Sequence, residues 1–183
     1  DEASLGERSQ IGDFEHTGTR ELDAADFAYQ IKRLVRPRIE SPGLAIFNQI
    51  IGLEDLAARL QAEVDAGRLD PDGWIDMRQF PLEGVETPDP HTLRIRIRGK
   101  YPQFLNWLAT TFVVPVPWEA ERFYGQPGMA RRELTLDMWP VGTGPFMMER
   151  NRPLREMRLT RNPEYREDLY PCEGEPGDAE AGL

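Results

Sequence analysis

The hydrophobic period changes along this chain, and that change limits the folds open to it. Phe27, Ile31, Leu34 and Val35 fall at helical spacing, whereas Leu93, Ile95 and Ile97 alternate with Arg94, Arg96 and Arg98 in the period-two pattern of a half-buried strand. Helical stripes and short strand pairs then follow one another without regular strand-helix alternation. This predicts a mixed α+β fold of helices and short antiparallel hairpins rather than a doubly wound sheet.

Local signals place the elements. Asp23 is a candidate N-cap with Asp26 three positions on, and Pro37 stops the run, so one amphipathic helix is expected over about 24–36. After the Ser41-Pro42-Gly43 turn, Ile46, Ile50, Leu53, Leu60 and Val64 form a second stripe, which Gly52 divides into two short helices. The Asp70-Pro71-Asp72-Gly73 stretch reads as a loop anchored by Trp74, Met77 and Phe80. Thr87-Pro88-Asp89-Pro90 supplies the turn ahead of the Arg-alternating strand, with Val85 on its partner. Helical spacing returns over Tyr101–Thr111 and near Glu119–Tyr124, and Phe146–Glu149 pairs with Glu156–Thr160 across the polar turn Arg150-Asn151-Arg152-Pro153. Residues 1–20 read as a flexible arm or loop, 21–166 as the folded part with one core, and 167–183 as an acidic, Gly/Pro-rich tail or linker.

Composition narrows the function. The 183 residues carry 22 Lys and Arg against 32 Asp and Glu, a formal net charge of -10, which argues against nucleic acid as the partner. The row Arg94, Arg96, Arg98 and Lys100 is read accordingly as an exposed strand face screened by neighbouring acids. The most apolar short run, Phe112–Trp118, is broken by Pro115 and Pro117 and is too short for a bilayer. Cys172 is the single cysteine, so no disulfide can form within the chain.

No catalytic constellation emerges, and no enzyme is expected. His16, His91 and Cys172 are far apart, so neither a metal site nor a cofactor is expected. Ser4, Ser9 and Ser41 lie in no Gly-x-Ser-x-Gly elbow. Val141-Gly142-Thr143-Gly144-Pro145-Phe146 has the glycines of a phosphate loop but lacks the following Lys-Ser/Thr, so Gly142, Gly144 and Pro145 are read as a structural turn feeding a strand. Gly142 and Gly144 are expected to be required by the backbone there. Phe104, Trp107 and Phe112 are assigned to the core. Elimination leaves a binding or interaction role.

An ordered set of motifs carries a resemblance. Arg20-Glu21-Leu22-Asp23-Ala24-Ala25-Asp26-Phe27-Ala28-Tyr29, Arg33-Leu34 with Pro37, Ser41-Pro42, Asp89-Pro90-His91-Thr92-Leu93-Arg94-Ile95, Tyr101-Pro102-Gln103-Phe104-Leu105 and Pro115-Val116-Pro117 occur in sequence. They are followed by the pair Val141-Gly142-Thr143-Gly144-Pro145-Phe146 and Arg161-Asn162-Pro163-Glu164-Tyr165. Together they resemble the bacterial extracellular solute-binding proteins of family 5, the dipeptide and oligopeptide receptors of ABC importers, over about 20–166.

The resemblance implies the small inserted subdomain of a periplasmic binding protein-like II receptor, and hence a fragment of a longer chain. It implies capture of peptides or a related solute in the periplasm or outside the cell, and delivery to ABC permease subunits. The remaining lobes of the receptor are further expected partners. The alternative is a non-transport interaction or sensor domain of the same architecture. Relatives often have an aromatic residue after the Ser-Pro pair, whereas Gly43 and Leu44 stand here. The residues expected to face the ligand are Gly43, Leu44, Phe47, Thr110, Thr111 and Phe112.

Overall fold

Asp23 starts the first helix by the reciprocal arrangement its sequence suggests. Its carboxylate accepts the amides of Ala25 and Asp26, and Asp26 Oδ2 accepts the Asp23 amide, satisfying donors that the helix start would otherwise leave open. In the computed structural model, which describes residues 20–39, 41–126 and 128–166, this helix is α1, Ala24–Arg33. It ends earlier than the expected 36: Leu34 is the C-cap, and the residue before Pro37 is disfavoured in helical geometry.

The second stripe is divided where expected. Helix α2 is Gly43–Phe47 and α3 is Leu53–Asp65, with Gly52 between them at φ 81°, a left-handed conformation that glycine adopts without steric cost. Strands β1 (Val85–Asp89) and β2 (Thr92–Ile95) form an antiparallel hairpin in which Val85 faces Ile95. Its turn is Pro90-His91; Thr87 and Pro88, expected in the turn, belong to β1. Short helices α4 (Phe104–Leu108) and α5 (Trp118–Tyr124) follow, and β3 (Phe146–Arg152) pairs antiparallel with β4 (Glu156–Arg161).

The described residues fall into two compact units divided after Gly142. In the first, α1 packs on the β1-β2 hairpin, and its amide at Ala24 donates to Pro90 O (2.7 Å) in the hairpin turn. Ile31, Phe47, Ile50, Leu53, Leu60 and Met77 lie at the centre of the core, fully enclosed, and Phe47 meets Phe104 edge-on with ring centroids 6.1 Å apart. Phe104, Trp107 and Phe112 all join this core, the last two half-buried. Burial of side chains of this size contributes roughly 1.5–3 kcal/mol each relative to exposure. The Arg face of the first hairpin is screened as expected: Arg94 and Arg96 pair with Glu86 at 3.1 and 2.8 Å, and Arg98 with Glu54 at 3.4 Å.

The second unit holds the β3-β4 hairpin. Within this unit no residue of β3 or β4 is buried. The hairpin is instead closed at its base by Asn162, whose amide donates to Pro145 O (2.8 Å) and whose side chain donates to Gly144 O (3.0 Å). The two paired sequence signatures are thus two sides of one closure. Gly142 and Gly144 are not sterically required there: neither has a positive φ, and a Cβ at either would meet nothing within 4 Å. Apart from Arg20, the arm and the tail lie outside the described residues.

Candidate functional site

Helix α1 and the residues flanking it, Arg20 and Arg36, set the position of the 112–121 segment through three separate polar ties. Gln30 Nε2 donates to Phe112 O (2.8 Å). Arg20 reaches Glu119 through Nε (2.8 Å) and Nη2 (2.9 Å) while its Nη1 holds Asp26 Oδ2 (2.9 Å). The third tie is centred on Glu121, which is 6% exposed. Its Oε1 accepts Arg33 Nε and Arg36 Nη1, both at 2.7 Å, and its Oε2 accepts the Tyr29 hydroxyl.

These groups belong together electrostatically. A buried carboxylate is costly unless it is paired and hydrogen-bonded, and here two guanidinium groups and a phenol supply three donors. Arg36 also donates from Nη2 to Gly73 O (2.6 Å), linking the loop before Trp74 to the same cluster. Burial, and then the bond to Glu121, push the Tyr29 hydroxyl well above the usual phenol range. Hydrogen bonds to Asp26 and Glu119 push the Arg20 guanidinium up further still, so it remains a cation at every relevant pH. The cluster is a structural fastener. No sequence-local signal announces it, because Glu121 lies 85 to 92 positions from the residues that hold it.

The expected ligand wall separates into two groups. Phe47 has no exposed surface and Gly43 is buried, with a Cβ there only 3.0 Å from Leu34 Cδ2, so both serve the core in this chain. Leu44 and Phe112 are half-buried against that core, and Thr111 is exposed at the start of a single 3-10 turn, Thr111–Val113. Thr110 Oγ1 donates to Trp107 O (2.6 Å), which fixes its side chain toward α4. Of the six residues, Leu44, Thr110, Thr111 and Phe112 thus keep solvent-accessible surface.

Sequence reasoning missed a neighbouring feature on α5. Trp118, Glu119, Arg122, Phe123 and Gln126 line an open groove. Arg78, held by Asp76 at 2.7 Å, stacks over Trp118 with its guanidinium carbon 3.4 Å from the ring centre. The bond from Arg78 holds the Asp76 carboxyl below its ordinary range. The aromatic residue at 118, directly after a Pro-Val-Pro turn, was the one available sign of this surface. Among the described residues, no group of three or more His, Cys, Asp and Glu could hold a metal, and no helix is long and apolar enough to cross a membrane.

A family profile described as "Bacterial extracellular solute-binding proteins, family 5 Middle" matches residues 16–177, and the chain belongs to this family. Proteins of Brucella ovis and Brucella abortus named as ABC transporter peptide-binding proteins are each 28% identical over 93 residues, covering 49% of this chain. The matched stretch is 16% of the length of those relatives. The crystal structure of Haemophilus influenzae OppA in complex with the peptide RPPGFSPFR superposes with a TM-score of 0.53 and 20% identity. It covers 79% of this chain and 24% of the OppA chain, and at that identity it shows a common fold.

Proposed function

We propose that this chain is one module of a receptor that captures peptides outside the cytoplasm and delivers them to an ABC import permease. The observation that carries this reading is the family profile over 16–177, which spans both hairpins and every motif in the ordered set. The peptide-binding names of the Brucella relatives and the peptide in the OppA complex support the solute class. We take 21–166 as the module and Leu44, Thr110, Thr111 and Phe112 as its part of the ligand wall.

In this role the module acts by equilibrium capture and makes or breaks no covalent bond. Its contribution to affinity is partial. Ligand sites bury about 70–90% of a ligand's surface, and one wall leaves most of a peptide in water. The charged ends of a peptide also need partners once they are desolvated, and the four wall residues carry no charge.

Calorimetry tests the reading. The longest chain that the gene encodes and the 183-residue chain are each titrated with a mixed library of di- to pentapeptides, without metal or nucleotide. Saturable binding by the longer chain, with weak or undetectable heat from the shorter one, is the expected result. Micromolar binding by the shorter chain would place the whole site within it and end the partial-wall reading. Absence of peptide binding by the longer chain would remove the peptide from the proposal.

A further inference from the structure

The tip of the β3-β4 hairpin holds a leucine where turn geometry calls for glycine. The strands pair from Phe146 opposite Arg161 to Arg152 opposite Glu156, with one bulge at Glu149. Beyond Arg152 the chain turns through Pro153 and Leu154, and the Arg155 amide donates to Arg152 O (3.0 Å). Proline second, a positive φ third and a bond from the fourth residue to the first mark a type II turn, whose third position favours glycine or asparagine. Leu154 stands there at φ 62°, a left-handed conformation that large side chains rarely adopt. It is also fully exposed. An exposed leucine alone needs no explanation, but one held in a strained conformation beside unpaired cations does. Residues 146–161 carry five arginines and two glutamates, a formal net charge of +3 in a chain of -10. Both glutamates are engaged by arginines set back from the turn. Arg158 holds Glu156 at 2.7 Å and lies 3.9 Å from Glu149, and Arg150 reaches Glu156 at 3.5 Å. Among the described residues, no carboxylate pairs with Arg152 or Arg155, the exposed cations on either side of the turn.

We propose that this tip is a contact for an anionic lipid surface, with Leu154 entering the boundary between headgroups and acyl chains while Arg152 and Arg155 meet lipid phosphates. Shape and chemistry select lipid over protein. A separate protein partner or a second copy needs about 800 Å² on each side for a stable interface, whereas the apex of a two-stranded ribbon offers one apolar side chain and two cations. A lipid surface needs no matching pocket: it accepts a protruding apolar side chain and attracts the cations around it. Guanidinium groups match phosphate oxygens with paired donors, so arginine suits the position. The acidic total does not oppose the contact at the tip. The seven residues of β3, at about 3.3 Å each, set the tip about 23 Å from the base of the hairpin. That distance exceeds twice the Debye length of about 8 Å at physiological ionic strength, so charges at the base are screened there. Each cation beside an anionic surface adds about fivefold in affinity, which makes the contact weak and reversible. It adds a membrane contact to the receptor reading above and is independent of which solute is captured.

Vesicle flotation tests the contact, with the 183-residue chain and the longest chain the gene encodes, at low salt. Vesicles of phosphatidylcholine and phosphatidylglycerol in equal amounts are expected to carry at least about tenfold more of either chain than phosphatidylcholine alone. Salt at about 0.5 M is expected to remove most of that difference. Leu154→Asn separates binding from folding, because asparagine tolerates the left-handed conformation and lacks the apolar side chain. It is expected to keep or raise the melting temperature while lowering vesicle binding at least about fivefold. Arg152→Gln with Arg155→Gln is expected to lower binding at least about tenfold, and Arg161→Gln, the same change at the base, by less than about twofold. Equal binding to both vesicle types overturns the proposal, as does parental binding by Leu154→Asn. Binding confined to the 183-residue chain also overturns it, since further chain then covers the tip. Retention on soluble polyglutamate in place of vesicles would assign the cations to an acidic protein, and self-association lost in Leu154→Asn, in place of vesicle binding, would assign the tip to a second copy; either result rejects the lipid. Peptide titration reads the solute separately: vesicle binding without peptide binding leaves the contact standing and removes the peptide reading alone.

Discussion

The chain contains two antiparallel hairpins of similar size, and they solve the problem of an amphipathic ribbon in opposite ways. In the first, Val85 is buried and Leu93, Ile95 and Ile97 pack against a core that also holds Phe47 and Phe104. The chain just past β2 is tied to the helical part by Ile51 N to Arg96 O (3.1 Å), Arg98 N to Gln49 O (2.8 Å) and a bridge between Ile50 and Ile97. In the second, the corresponding apolar side chains remain open. The pattern along a strand fixes which side chains share a face. What covers the face depends on chain elsewhere, which a strand's own residues do not encode.

The largest effect that sharpens this contrast is a pair of truncations. Phe47→Ala removes a fully enclosed ring and is expected to destabilise the chain by about 3–5 kcal/mol, as large-to-small changes in tight cores do. Leu159→Ala, at a side chain 51% exposed, is expected to cost under about 0.5 kcal/mol. Urea unfolding of both variants measures the difference, and equal losses would mean that the second hairpin has a core of its own.

Several features of the first unit are legible from residues close together in sequence. Asp23 and Asp26 announce the start of α1, Gly52 the break between α2 and α3, and the Leu93, Ile95, Ile97 alternation the first hairpin. Each depends on local geometry that a few neighbouring residues determine. The features that escaped are long-range. Glu121 looks like an ordinary residue of a short helix until Tyr29 and Arg33 of α1, and Arg36 just past its end, arrive. Phe47 fits an apolar ligand wall as well as a core by its chemistry, and only packing assigns it. The bulge at Glu149 leaves no mark in composition. The glycines show the same limit: Gly142 and Gly144 sit in the recognisable motif yet have open space around them, while Gly84, in no motif, is the crowded one.

That reversal gives the second prediction. A Cβ at Gly84 would lie 2.5 Å from Ile51 O and 2.8 Å from Ile51 N, backbone atoms tied into the first hairpin, so Gly84→Ala must displace main chain. It is expected to cost about 1–3 kcal/mol, in the range of overpacked interiors. Gly144→Ala meets no atom within 4 Å and should stay within about 0.5 kcal/mol of the parent. Thermal unfolding separates them, and a loss at Gly144 comparable with that at Gly84 would restore the steric reading of the motif.

The smallest expected effect distinguishes the hairpin turns by pH. Asp89 Oδ1 accepts the His91 amide at 2.9 Å, and that bond, followed by the Thr92 hydroxyl, holds the Asp89 carboxyl below its ordinary range. A depressed carboxyl favours the folded state while it is ionised, so this contribution is complete above the unfolded value of about 4. It is lost as the pH falls from there through the lower folded value. The Arg155 amide in the second turn donates to the Arg152 carbonyl at 3.0 Å, a backbone acceptor with no proton to gain. Amide temperature coefficients followed from pH 6 to about pH 2 should therefore show the His91 amide losing its hydrogen bond while Arg155 keeps its own. Asp89→Asn should leave the His91 amide insensitive across the same range, because a side-chain amide oxygen can accept that bond without titrating. A His91 response that persists in Asp89→Asn would assign the acid sensitivity to another group and remove the carboxylate from the account of the first turn.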